Sequence, residues 1–115
     1  MITIYHNPRW GKSRESVKIL KKGNCQFKII EYLKNPINVE TLLDLANQLN
    51  LRPKNFIRRG EATFKELKLN RHLENDYYLY DMMLKYPILI ERPIVISNNK
   101  AIIARPPEKI FDFIK

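Results

Sequence analysis

The chain of 115 residues is poor in the residue types on which many functional sites depend. It holds one cysteine, two histidines and three glycines. A single cysteine excludes an internal disulfide, and the scattered histidines and cysteine match no standard ligand spacing for a metal. The few glycines form neither a dinucleotide-binding fingerprint nor a P-loop. We therefore expect no metal site and no bound cofactor.

Long apolar runs are also missing. No segment approaches the ~20 apolar residues that a membrane span requires. The N-terminus lacks the charged stretch and apolar run of a secretory signal. The hydrophobic content of 44% is ordinary for a globular protein. We expect one domain over residues 1–115, a cytoplasmic location and no membrane partner.

Positive charge, in contrast, is abundant and uneven. The net charge is +9, and residues 1–60 hold 12 Lys or Arg against 4 Asp or Glu. This balance would attract oxyanions, nucleic acid or an acidic protein, or it reflects a compositional bias toward lysine. Because helix-turn-helix, zinc-ligand and RNA-binding aromatic patterns are missing, nucleic-acid binding is not expected.

The first third of the chain has the pattern of a β-α-β unit. Apolar residues predict a strand over residues 2–5, a helix over 11–22 and a second strand over 26–32. A crossover of this kind makes the two strands parallel.

The rest of the chain predicts helices and then a hairpin. Helices are expected in the middle, with a cap at Asn38 and helical ranges over 63–69 and 73–86. Asn98-Asn99 is a candidate two-residue turn between the last two strands. A final helix should turn Ile110, Phe111 and Ile114 inward. Together these elements predict an α/β, thioredoxin-like fold, with a four-stranded mixed sheet and an inserted helical segment.

The loop from His6 to Arg14 lies between the first strand and the first helix. Backbone N–H groups and the helix dipole at such a helix start favour a negative charge. They would also stabilise a thiolate, but the loop carries Trp10 and no cysteine.

Three motifs, in this order, resemble the glutaredoxin-linked arsenate reductase family, of which Spx-like transcriptional regulators are distant relatives. The motifs are His6-Asn7-Pro8…Ser13-Arg14, Pro87-Ile88-Leu89-Ile90-Glu91-Arg92-Pro93-Ile94-Val95 and Ala104-Arg105-Pro106. The resemblance covers nearly the whole chain. It implies the thioredoxin-like fold and an oxyanion such as arsenate or phosphate as ligand.

The resemblance also implies which residues form the site. In the family a cysteine attacks arsenate, and glutathione and glutaredoxin then reduce the adduct; the matching position here is Trp10. The family's three oxyanion-binding arginines match Arg58, Arg92 and Arg105, expected to converge from a helix, a strand start and a strand end. A cis proline of the family matches Pro93.

Four residues of the first loop match the family as well. His6 would hold the loop or tune the charge near the anion, or it is only a hydrogen-bonding residue of the loop. Asn7 belongs to the same loop motif. Ser13 and Arg14 would reach the anion or cap the helix.

No residue of the chain replaces the missing thiol. Cys25 lies beyond the far end of the first helix, about 18 Å from the loop at 1.5 Å per residue. A hydroxyl such as that of Ser13 cannot pass through a disulfide. With the thiol missing, the family resemblance therefore implies an oxyanion-binding protein whose arsenate reductase activity is impaired or lost. Trp10 either plugs the loop or offers a flat surface to a partner, and the second possibility would make the chain a non-enzymatic, Spx-like interaction protein.

Overall fold

One mixed sheet organises the part of the chain that carries the first loop. Its strands are β1 (Ile2–Tyr5), β2 (Phe27–Ile30), β3 (Ile94–Ser97) and β4 (Lys100–Ile103), in the order β2-β1-β3-β4. β1 and β2 are parallel, whereas β3 is antiparallel to both β1 and β4. This computed structural model describes residues 1–114; the last residue of the expected domain, Lys115, lies outside them.

Two compact units share the chain. One comprises residues 1–35 and those from 92 onward, and the other comprises residues 36–91. The first unit holds the sheet with α1 (Gly11–Lys22) and α5 (Lys109–Phe113), and the second is the predicted inserted helical segment. The four-stranded mixed sheet with helices confirms the predicted α/β, thioredoxin-like class.

The core of the sheet unit forms where both helices meet the strands. Ile4, Leu20, Val95 and Ile110 are fully buried there. Burying each such side chain contributes about 1.5–3 kcal/mol. The prediction that Phe111 faces inward is wrong, since 53% of it is exposed. One helical position separates it from Ile110, and that step rotates its side chain by about 100° around the short α5.

The turn between β3 and β4 confirms the prediction made for the two asparagines. Asn98 and Asn99 have φ values of 52° and 63°, in the left-handed region. Ser97 pairs with Lys100 across the turn, and Ile94 pairs with Ile103. Residues that precede β3 therefore emerge beside residues that follow β4.

The second unit contains α2 (Val39–Leu49), α3 (Ala62–Glu66) and α4 (Asp76–Lys85). Asn38 caps α2, as predicted, because its side chain accepts a hydrogen bond from the Thr41 N–H at 2.8 Å. The helix predicted over 63–69 ends early, since Lys68 has a φ of 53° and a 3₁₀ turn follows. The helix predicted over 73–86 begins only at Asp76, because Asn75 caps it.

The helices of the described residues are short. The longest described helix, α1, has 12 residues, and none between residues 1 and 114 combines the length and apolarity needed to cross a membrane.

Candidate functional site

The first loop is held together by a buried serine. Ser13, in the first turn of α1, is fully buried. Its Oγ lies 2.6 Å from Nδ1 of His6 and accepts a hydrogen bond from the Asn7 N–H at 3.1 Å. Ser13 thus ties both ends of the loop together instead of capping the helix. His6 is in turn anchored to the sheet, because its backbone N–H donates a hydrogen bond to the Ile30 carbonyl.

Further hydrogen bonds define the path of the loop around Trp10. The Asn7 side chain accepts from the Arg9 N–H at 3.1 Å, and Arg14 Nη1 donates to the Pro8 carbonyl at 3.0 Å. The Trp10 N–H donates to the Asn7 carbonyl, and the Trp10 carbonyl accepts from the Arg14 N–H. These bonds engage the Trp10 backbone at the residue that precedes α1.

The environment of His6 favours the neutral imidazole. Burial lowers the pKa of His6 below its ordinary value of 6.5; the carboxylate of Glu31 opposes this shift and the charge of Arg14 adds to it. In a neutral ring, Nδ1 accepts the hydrogen bond of the Ser13 hydroxyl if the proton resides on Nε2, and donates to Ser13 Oγ if the proton resides on Nδ1. Ser13 Oγ accepts from the Asn7 N–H in either case.

Acidification is expected to destabilise the protein through His6. Because its pKa is lower in the folded state than the unfolded value, the unfolded chain binds the proton first. The free energy of unfolding should therefore fall as the pH drops through 6.5, and the loss should stop once folded His6 is protonated. Thermal unfolding between pH 8 and 5 measures this, with His6→Gln as the variant that removes the dependence and His72→Gln as the control that keeps it. An NMR titration that gives a pKa of 6.5 or above for His6 in the folded protein would contradict this prediction.

Two of the three predicted arginines contact the indole of Trp10. Arg92 precedes β3, and its Cζ lies 3.9 Å from the centroid of the Trp10 ring. Arg105 follows β4, and its Cζ lies 5.3 Å from the same ring. Pairing of Ile94 with Ile103 brings the two arginines together. Their burial differs, since Arg92 is only 2% exposed whereas Arg105 is an exposed residue.

The peptide bond that precedes Pro93, the proline matched to the family's cis proline, is cis. The bond between Arg105 and Pro106 is also cis, which sequence reasoning missed. A proline there is the only available signal, since X-Pro bonds alone adopt this form at low cost.

Arg58, the third predicted arginine, belongs to the helical unit. It follows a single antiparallel bridge between Ile57 and Ile90, so the expectation that it lies on a helix is wrong. Its Nε lies 2.9 Å from Glu61 Oε1, and its Nη1 lies 2.8 Å from Glu91 Oε1. The three side chains are only 13–20% exposed. Two carboxylates thus counter the charge of this guanidinium.

The sequence reasoning missed both of these carboxylates. Glu61 stands three residues after Arg58, a spacing at which side chains meet on a helix, although this segment is a turn. Glu91 belongs to the second motif itself, directly before Arg92. Both signals were present, but only the bridge between Ile57 and Ile90 brings Glu91 to Arg58.

The lone thiol lies between α1 and β2. The Cys25 Sγ donates to the Gly23 carbonyl at 3.5 Å, and the side chain packs partly buried against the core of the sheet unit. All 12 residues of α1 separate it from Trp10. Within residues 1–114, no group of three His, Cys, Asp or Glu side chains is placed to hold a metal ion.

The chain is similar to proteins of a known family. The model of the ArsC family matches residues 5–113. The chain is 38% identical to the protein YfgD of Escherichia coli (strain K12) over 114 residues, which span 98% of this chain and 96% of that protein. It is 38% identical to the arsenate reductase of Neisseria meningitidis serogroup B over 111 residues, 95% of this chain and 94% of the relative.

A solved structure supports the same assignment. The arsenate reductase from Vibrio cholerae superposes with a TM-score of 0.92 at 38% identity, and the match covers 96% of this chain and 95% of the other. The matched range includes the loop of Trp10 and both arginines that contact the indole. This chain therefore belongs to the ArsC family, whose thioredoxin-like fold it shares.

Proposed function

We propose that this protein binds arsenate or a phosphate-like oxyanion without reducing it. The observation that carries the proposal is the convergence of Arg92 and Arg105 on residue 10, at the start of α1. Guanidinium groups present planar, paired donors that match tetrahedral oxyanions. The backbone N–H groups and dipole at the start of a 12-residue helix favour the same negative charge.

Reduction needs a sulfur atom that this site lacks. In the family, a thiolate attacks arsenate and forms an adduct, from which glutathione and glutaredoxin remove the arsenic as arsenite. The indole of Trp10 forms no such adduct. The Ser13 hydroxyl is buried and hydrogen-bonded to His6. Cys25 lies beyond α1. Without the adduct, glutathione and glutaredoxin have nothing to reduce on the natural chain.

The alternative of a protein-interaction module receives less support from the indole. A hot-spot tryptophan would present an accessible ring to its partner. Trp10 is only partly exposed, and the guanidinium of Arg92 lies against its ring. This contact favours a ring that fills the loop.

Two measurements on the purified protein test the proposal. In an assay coupled to glutathione and glutaredoxin, we expect arsenate reduction at the level of the protein-free control. Calorimetry should detect arsenate binding, and Arg105→Ala should weaken it about tenfold or more, because a charge-assisted hydrogen bond is lost. Arg71→Ala removes an exposed arginine of the helical unit and changes the net charge by the same amount as Arg105→Ala. It should leave arsenate binding unchanged.

Either measurement can overturn the proposal. Arsenate reduction above the control would refute the loss of catalysis. Absence of binding, or equal weakening by Arg105→Ala and Arg71→Ala, would refute the oxyanion site.

A further inference from the structure

We propose that Trp10 is a gate over Arg92, so that an oxyanion must displace the indole before it can use both arginines. The inference rests on the proposed oxyanion binding and adds a conformational step to it. Arg92 is 2% exposed, and its guanidinium carbon lies 3.9 Å from the indole centroid. That distance is van der Waals contact, which leaves no space for an ion between the two groups.

Burial of Arg92 shows why the indole must move. A charge-assisted hydrogen bond requires an oxyanion oxygen about 2.7–2.9 Å from a guanidinium nitrogen. A side chain with almost no accessible surface cannot receive an oxygen at that distance in this conformation. The Trp10 ring lies against the guanidinium, so a rotation about its side-chain bonds would remove a group that covers Arg92.

Arg105 gives the anion a first contact. It is exposed, and its Cζ lies 5.3 Å from the indole centroid, farther away than that of Arg92. An anion can therefore reach Arg105 while the gate is closed. Displacement of the indole then adds the donors of Arg92, so that the second arginine is recruited only after the first.

The hydrogen bonds described for the loop do not oppose this motion. Hydrogen bonds of Trp10 to Asn7 and Arg14 use backbone atoms. The hydrogen bond between His6 and Ser13, which holds the loop together, does not involve Trp10. Rotation of the indole would therefore break none of these hydrogen bonds.

The gate should weaken binding by a measurable factor. Opening breaks the cation–π contacts of the indole with the two guanidinium groups. Loss of a desolvated contact of this kind changes the equilibrium constant for opening by roughly tenfold or more. The observed affinity is the intrinsic affinity multiplied by the fraction of open molecules. We therefore expect Trp10→Ala to bind inorganic phosphate about tenfold more tightly than the natural chain.

The test combines calorimetry with fluorescence. Phosphate affinity is measured for the natural chain, for Trp10→Ala and for Tyr77→Ala, a control that truncates an aromatic residue that is 87% exposed in the helical unit. Tyr77→Ala should behave like the natural chain. Since Trp10 is the only tryptophan, its emission should shift to longer wavelength as phosphate saturates the natural protein.

Each outcome decides between the gate and the site beneath it. Tighter binding by Trp10→Ala together with the emission shift supports the gate. Phosphate binding to the natural chain with unchanged emission, or no tighter binding by a folded Trp10→Ala, overturns the gate and leaves the oxyanion site standing. Absence of binding by both proteins overturns the proposed function and the gate together. The emission experiment needs no variant, so it decides even if Trp10→Ala fails to fold.

Discussion

Replacing Trp10 with cysteine is expected to give this protein arsenate reductase activity, on the order of 10³-fold or more above the natural chain, because loss of a nucleophile typically costs at least that much. The new thiol would stand at the start of α1, where the helix dipole lowers the pKa of a cysteine. Arg92 and Arg105 would lie beside it, since both already contact residue 10. The glutathione- and glutaredoxin-coupled assay measures the gain.

Matched variants separate the thiol from the removal of the indole. Trp10→Ser and Trp10→Ala open the same space without a redox-active sulfur, so they should stay at the control level. Trp10→Cys combined with Cys25→Ser should keep the activity of Trp10→Cys. A folded Trp10→Cys protein without activity would show that the site has changed beyond residue 10, and activity that depends on Cys25 would contradict its assignment as a packing residue.

Replacing Arg58 with methionine is expected to lower the free energy of unfolding by about 3 kcal/mol, the lower end of the cost of breaking a buried ion pair. Glu61 and Glu91 would be left close together without the guanidinium that bridges them. All three side chains are at most 20% exposed, so water screens the remaining repulsion poorly. Denaturant unfolding of the two proteins at neutral pH measures the difference.

Two further variants identify the cause of that loss. Arg59→Met, at the exposed neighbouring position, should change stability by less than about 0.5 kcal/mol. The triple variant Arg58→Met/Glu61→Gln/Glu91→Gln should recover part of the loss, because no carboxylate remains. Equal stability of Arg58→Met and the natural chain would contradict a stabilising role of the ion pairs with Glu61 and Glu91.

Elements specified by local chemistry were predictable from the sequence. The β-α-β unit, the cap at Asn38 and the turn at Asn98-Asn99 follow from side-chain type and spacing within a few residues. The end of α3 was not predictable in this way, because Lys68 adopts a left-handed conformation without being glycine or asparagine. Tertiary packing overrides the weak local preference at such positions.

The part of the site that depends on the register of the sheet was predictable from the sequence. Arg92 and Arg105 flank a hairpin whose turn can be recognised in the sequence, so the register brings them together. The partners of Arg58 depend on a bridge between residues 33 positions apart, which no local pattern specifies. Contact of the indole with two guanidinium groups likewise requires the folded sheet.

The hydrogen bonds described for the first loop use only the backbone of residue 10. His6 and Ser13 set the loop from outside that position, and Trp10 joins it through its backbone. A cysteine codon and a tryptophan codon differ by one base, so a single nucleotide change would exchange a nucleophile for an indole on an otherwise unchanged scaffold. Loss or return of the thiol at residue 10 would therefore leave the hydrogen bonds among His6, Asn7 and Ser13 in place.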